Sequence, residues 1–143
     1  GFVLDPKHPN CVAPGKRPFQ TIIPAFLMKD GKAQMSYGVM GGNMQRQGHM
    51  QTLSRMLDAK QHPQAACDAP RWKVHTGLTV DIEDTMEPEV VEALQARGHS
   101  VKKINDPYMD FGSGQFIWRL TDDMEDGYVA ASDSRRDGAA VGY

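Results

Sequence analysis

This sequence lacks long apolar runs, paired cysteines, metal-type histidine spacings and any excess of basic charge. No stretch approaches the roughly 20 apolar residues that a spanning helix needs, so no membrane span is expected. Nothing at its start resembles a signal peptide, which leaves cytoplasm and periplasm both open for a soluble protein. The two cysteines, Cys11 and Cys67, lie far apart without C-x-x-C or finger spacing. They read as buried or idle thiols, with a long-range disulfide as the alternative. His8, His49, His62, His75 and His99 form neither an H-x-x-x-H nor an H-E-x-x-H pattern, so no metal site and no cofactor are expected. Sixteen Lys and Arg against 18 Asp and Glu leave a net charge of -2. That balance argues against a nucleic-acid partner and against an acidic solvating tail. No internal repeat or low-complexity linker interrupts the chain.

What is present is one domain's worth of sequence, 1–143, with 40% hydrophobic residues and enough length to bury a core. Its centre is Tyr37-Gly38-Val39-Met40-Gly41-Gly42-Asn43-Met44, an apolar run entering a glycine pair just before a helix-like pattern. Glycines let the backbone turn sharply and approach another group closely. A strand turning through two glycines into a helix leaves several N–H groups without intrachain partners. Such donors, at the positive end of a helix, suit a carboxylate or an acyl-transfer oxyanion. The plain alternative is a tight strand-to-helix turn that binds nothing.

Along the chain, residues 1–20 contain Pro6, Pro9, Pro14 and Pro18 and read as an extended arm. In it Lys16 and Arg17 read as solvated charges. Residues 21–28 form a continuous apolar run, expected as a strand covered on both faces, with Pro24 placing a bulge or an edge nearby. Asp30-Gly31 favours a two-residue hairpin turn to a partner strand over 33–40. Asn43 is a candidate N-cap. Met50, Leu53, Met56 and Leu57 then recur at helical spacing up to Lys60, with Gly48 marking close packing. A short helix is expected over 63–68, and Ala69-Pro70-Arg71-Trp72 reads as a turn that Arg71 and Trp72 lock. A strand over 78–82 is followed by a helix opening at Pro88, with Val90, Val91 and Leu94 buried and Arg97-Gly98 as its stop. Another strand covers 101–104. A loop over 106–114 leads to a hairpin of 115–120 with 128–132 across an acidic turn. Antiparallel strand pairs with intervening helices make the fold α+β. Gln115 lies where it could approach the glycine turn or simply start its strand. Arg135 with Asp133 or Asp137 reads as an ion pair that organises the tail, of modest value if exposed, and His49 as an ordinary core or surface histidine.

Several landmarks fall in one order: Pro14-Gly15-Lys16-Arg17-Pro18, Pro24, Lys29-Asp30-Gly31, Gly41-Gly42, Asp68-Ala69-Pro70-Arg71-Trp72, the 94–98 stretch, Gly112 to Gln115, and Ala131-Ser132-Asp133 through Arg135 to Gly142-Tyr143. On this set the chain resembles the C-terminal part of the small subunit of a γ-glutamyltranspeptidase-family protein, over nearly its whole length. The resemblance implies part of an αββα N-terminal-nucleophile hydrolase sandwich, mainly antiparallel strands with flanking helices. In that family a precursor cuts itself, and the threonine exposed at the small subunit's start attacks an amide, its own free amine serving as base. Gly41 and Gly42 match the glycine pair whose N–H groups hold the oxyanion. The implied partners are the large subunit and the N-terminal part of the small subunit of the same precursor, with a small-molecule amide as substrate.

Two departures stand out. The sequence begins Gly1-Phe2-Val3, without a threonine, so this polypeptide alone is expected to be inactive. Where the family's transpeptidases carry a serine pair that binds the substrate's α-carboxylate, this chain has Gln20 and Thr21. Thr21 keeps a hydroxyl; Gln20 brings an amide. With Gly-Val-Met-Gly-Gly as the glycine turn, this leans toward the family's amidohydrolases and acylases. The competing readings are a non-catalytic binding or structural domain that kept the fold, and a fragment that self-associates through exposed apolar strands.

Overall fold

Asp30 and Gly31 both take positive φ, 51° and 77°, the backbone that a tight two-residue hairpin turn requires. They join β1 (Ala25–Lys29) to β2 (Lys32–Met40) in the computed structural model, which describes residues 1–106 and 110–142. The strand expected over 21–28 starts only after Pro24, which has no N–H for a ladder. β1 is an edge strand, with a register shift between Leu27 and Met28. β2 pairs on its other side with β6 (Ser113–Arg119), and β6 with β7 (Tyr128–Ser132), giving an antiparallel four-stranded sheet in the order β1-β2-β6-β7. β6 opens at Ser113, two residues ahead of the expected 115–120 strand. Of the loop expected over 106–114, positions 107–109 lie outside the described residues.

One face of this sheet carries α1 (Gln45–Leu57) and α2 (Pro63–Asp68). Met35, Val39, Phe116 and Ala131 from the strands pack there with Met56, Ala66 and Cys67 from the helices. The other face is open: Phe26, Met28, Ile117 and Tyr128 are each at least half exposed. The two-sided cover expected for β1 is therefore absent, because both helices sit on the same side.

The start of α1 also differs from expectation. A 3-10 turn over Gly42–Met44 precedes it, Asn43 lies inside that turn and no side chain caps it, and the helix ends at Leu57 instead of Lys60. Met50 and Leu57 point outward, 49% and 37% exposed. Met56 is buried and Leu53 packs on the core as expected, but the rest of the buried stripe is Gly48, His49 and Thr52. Gly48 permits it: a Cβ there would lie 2.6 Å from Val39 Cγ1, so the helix backbone rests directly on β2.

A second sheet follows in the order β3-β4-β5. β4 (Thr79–Glu83) and β5 (Ser100–Ile104) run parallel, joined by α3 (Pro88–Ala96), as a parallel pair requires. Pro88 sits in the first turn and Gly98, at φ 91°, just beyond the end. Only Val91 of the expected stripe is buried; Val90 is 44% exposed. β3 (Trp72–Val74) falls where only a turn was expected. Its free edge is completed by two glutamine amides of α1, one helical turn apart. Gln51 accepts from Trp72 N–H at 3.0 Å and donates to Trp72 O at 2.9 Å; Gln47 does the same at Val74, at 2.8 and 3.0 Å. The two side chains thus stand in for a fourth strand and fix β3 against the helix that covers the first sheet.

The sheets are also joined by a buried group of charges. Arg71 donates to Asp133 (2.6 Å), Phe111 O and Cys67 O. Arg135 holds Glu83 through both carboxylate oxygens at 2.6 Å and also reaches Asp133 and the carbonyls of Cys67 and Ala69. Arg71, expected only to lock a local turn, reaches 40 and 62 positions along the chain to do this. The expected pair of Arg135 with Asp133 forms, but it is buried, and Glu83, 52 positions away, is a further partner.

Cys67 lies under this joint and both cysteines are free thiols. Burial, reinforced by the Asp133 carboxylate, pushes the Cys67 thiol up to about 12, which leaves almost no reactive thiolate near neutrality. In native protein at pH 8 a thiol reagent is expected to label the partly exposed Cys11 and leave Cys67 unmodified until denaturant is added. Two rapid labels counted by mass spectrometry would contradict this packing.

Candidate oxyanion turn and the cleft beside it

β2 runs through Met40 into Gly41 at φ 132° and Gly42 at φ 58°, both in the region that side chains disfavour. Gly112, at φ 67°, faces them. A Cβ on Gly41 would lie 3.0 Å from Gly112 Cα, and one on Gly112 would overlap Met40 O. Backbone therefore packs on backbone here, and the loop before β6 buttresses the turn. Gly41 O accepts from Met44 N–H at 3.0 Å, and Gly42 O from Gln45 N–H. Neither Gly41 nor Gly42 donates its N–H in a turn, loop or side-chain hydrogen bond among the described residues.

His49 holds the strand just upstream. Its Nε2 accepts from Val39 N–H at 2.9 Å, and its ring lies 5.2 Å from that of Tyr37. Burial lowers its pKa and so favours the neutral ring, with the proton on Nδ1 when Nε2 accepts. Burial likewise raises Tyr37, which stacks on Phe116. Polar residues doing this work are invisible to a hydrophobic period, and His49 carried no signal in the sequence.

The arm is brought to the same turn by Gln45. Its Nε2 donates to Thr21 O (2.6 Å) and Gly42 O (3.1 Å), and its Oε1 accepts from Ile23 N–H (3.1 Å). Thr21 and Gly42 thus share one amide through their main chains. Gln20 turns back on the arm, donating to Ile22 O at 2.9 Å. Gln115 donates to Ser132 Oγ at 3.0 Å on an exposed part of β6, a contact within its own sheet.

A cleft of about 370 Å³ opens beside Gly41, lined among others by Asn43, Gln47, Lys73, His75 and Asp110. Lys73 pairs with Asp110 at 2.9 Å and His75 with Asp81 at 2.6 Å. These side chains reach it because Gln47 and Gln51 hold β3 against α1. Neither Gln20 nor Thr21 lines it. Among the described residues no three of His, Cys, Asp and Glu gather as a metal site, and no helix is long and apolar enough to cross a membrane.

Known proteins resemble this chain in sequence and in structure. Residues 1–143 match the family described as Gamma-glutamyltranspeptidase. A glutathione hydrolase-like YwrD proenzyme from Bacillus subtilis is 37% identical over 99% of this chain and 27% of its own length. An oxamate amidohydrolase proenzyme from Klebsiella pneumoniae is 32% identical, again over 99% of this chain and 27% of its own. The crystal structure of a cephalosporin acylase from Bacillus halodurans is 42% identical and superposes with a TM-score of 0.77, over 99% of this chain and 26% of that one. The chain thus spans about a quarter of the length of the curated relatives it matches. Its antiparallel and mixed sheets with flanking helices are those of an αββα N-terminal-nucleophile hydrolase sandwich. The chain belongs to the gamma-glutamyltranspeptidase family.

Proposed function

We propose that this chain is the C-terminal part of the small subunit of a γ-glutamyltranspeptidase-like enzyme that cleaves or transfers an amide-linked acyl group. Preceding polypeptide supplies the threonine nucleophile, its free amine acting as base. Gly41 and Gly42 present their N–H groups to the oxygen of the tetrahedral intermediate, and Gln20 and Thr21 meet the substrate's polar head group. The observation that carries this reading is the turn itself. Two successive glycines at positive φ head a helical stretch, their N–H groups engaged in no turn, loop or side-chain bond among the described residues, next to a polar cleft.

The open sheet face with Phe26, Met28, Ile117 and Tyr128 is the one that the rest of the precursor, the large subunit and the earlier part of the small subunit, would cover. A second reading within the same chemistry has support of its own: an amidohydrolase or acylase with a non-glutamyl acyl group. The 42% identity to a cephalosporin acylase and the Gly-Val-Met-Gly-Gly turn both favour it. In the intact protein, replacing the threonine that opens the small subunit by alanine is expected to abolish self-cleavage and amide hydrolysis together. An intact wild-type protein that never cleaves itself and hydrolyses no amide would sink the proposal.

A further inference from the structure

Gln45 is 8% exposed at the start of α1 and spends its whole amide on main-chain atoms of two segments. Residues 21–24 lie outside every strand and helix, and the first sheet's ladder begins at Ala25. Among the described residues, the other side-chain bond to this stretch is the local one from Gln20 Nε2 to Ile22 O. The Gln45 amide therefore tethers the arm, and by the same Nε2 it holds Gly42 O. The site needs one acceptor, for Ile23 N–H, and two donors, for Thr21 O and Gly42 O. A primary amide supplies that set. A carboxylate would press oxygen against two carbonyl oxygens, and a hydrocarbon would leave all three groups unpaired.

We propose that Gln45 is a positioning residue: it fixes the spacing between the arm with Gln20 and Thr21 and the turn with Gly41 and Gly42, coupling head-group recognition to oxyanion stabilisation. This rests on the roles given to both segments under the proposed function. A substrate that touches arm and turn together feels an error in their spacing, and misplacement by about 1 Å can cost on the order of 100-fold in rate. A substrate that touches only the turn does not. Gln45 thereby selects acyl groups with a polar head over plain acyl groups without contacting either.

The test uses the intact protein, wild type and Gln45→Leu, with Gln45→Glu as a second variant. Glutaryl-p-nitroanilide and butyryl-p-nitroanilide are compared, because they differ only in the terminal carboxylate. Each variant is expected to lose at least about tenfold more kcat/KM on the glutaryl than on the butyryl substrate, mostly as raised KM. A residue that merely supports the fold would lower both equally; equal losses, or none, overturn the proposal. A second readout needs no activity: chymotrypsin nicking after Phe19 is expected to be at least about fivefold faster in Gln45→Leu, as a released arm samples open states. Unchanged nicking shows that Gln45 does not tether the arm. If the wild-type protein cleaves no amide at all, it is the proposed function that falls, while the nicking rate still decides the tether.

Discussion

Replacing Asp133 with alanine is expected to lower the unfolding temperature of this chain by about 10 °C. Asp133 is 1% exposed and accepts from the Arg71 guanidinium at 2.6 Å, from Gly114 N–H at 2.7 Å, and from the N–H and guanidinium of Arg135. Removing it leaves Arg71, itself 1% exposed, without its carboxylate partner. Breaking one member of a buried ion pair costs about 3–5 kcal/mol, and in a domain of this size each kcal/mol is worth roughly 2–4 °C. Asp133→Asn keeps the acceptor oxygen and is expected to fall between wild type and alanine. Replacing Arg71, Asp133, Glu83 and Arg135 together by well-packed apolar residues is a different experiment, since the desolvation cost of all four charges disappears with them. A shift below about 3 °C for Asp133→Ala, by thermal or urea unfolding, would mean that water reaches this joint.

The same residue sets a pH dependence. Burial pushes the Asp133 carboxyl up, but the Arg71 guanidinium and the N–H groups of Gly114 and Arg135 outweigh it and hold the folded-state value below the ordinary carboxylate range. Its stabilisation is therefore complete above the unfolded value near 3.9 and is lost as pH falls through the lower folded value. His49 acts in a higher window. Burial lowers its folded value, so its contribution is complete above about 6.5 and fades as pH drops below that. Urea midpoints should accordingly decline in two stages on the acid side, and Asp133→Asn should flatten the lower one.

Local chemistry explains what could be read without coordinates. The Asp30-Gly31 hairpin needs only two residues that accept positive φ, and both lie in the turn itself. The hairpin of β6 and β7 and the Pro88 helix are similarly written in adjacent residues. α1 misleads because its buried face is made of Gly48, His49 and Thr52, polar or small groups whose hydrogen bonds go to backbone, as Thr52 Oγ1 does to Gly48 O. Of the residues that carry the period, Met50 and Leu57 turn to solvent while Leu53 and Met56 pack on the core. β3 exists as a strand because two glutamines more than 20 residues earlier complete its edge, and no window over 72–74 contains that information. Arg135 and Asp133 look like a local ion pair until Glu83 and Arg71 arrive from the other sheet. Of the candidate site, the sharp turn at Gly41 and Gly42 was legible from its residue types, whereas its oxyanion role rests on the family resemblance. Gln45 was not legible, because nothing in the sequence tells a clamping amide from a solvated one.

Alanine at Gly42 is expected to lower kcat of the intact protein by about 5- to 30-fold, the backbone strain of about 1–2 kcal/mol expressed as a rate. The neighbourhood of this position makes the experiment clean. A Cβ on Gly42 would meet nothing within 4 Å, so packing is not disturbed, whereas on Gly41 it would press on Gly112. What alanine does at Gly42 is strain a backbone at φ 58°, by about 1–2 kcal/mol, which rotates the peptide planes that aim the two N–H groups. Gly31 provides the control: its φ is 77°, and a Cβ there also meets nothing within 4 Å. Gly31→Ala should cost similar stability, since the strain is of the same kind, yet leave kcat within a factor of about two because the hairpin lies away from the cleft. If the two variants lose stability and activity in parallel, the glycine turn is a structural device and its N–H groups hold no reacting oxygen. If only Gly42→Ala loses kcat, with KM little changed, the missing interaction is one made in the transition state.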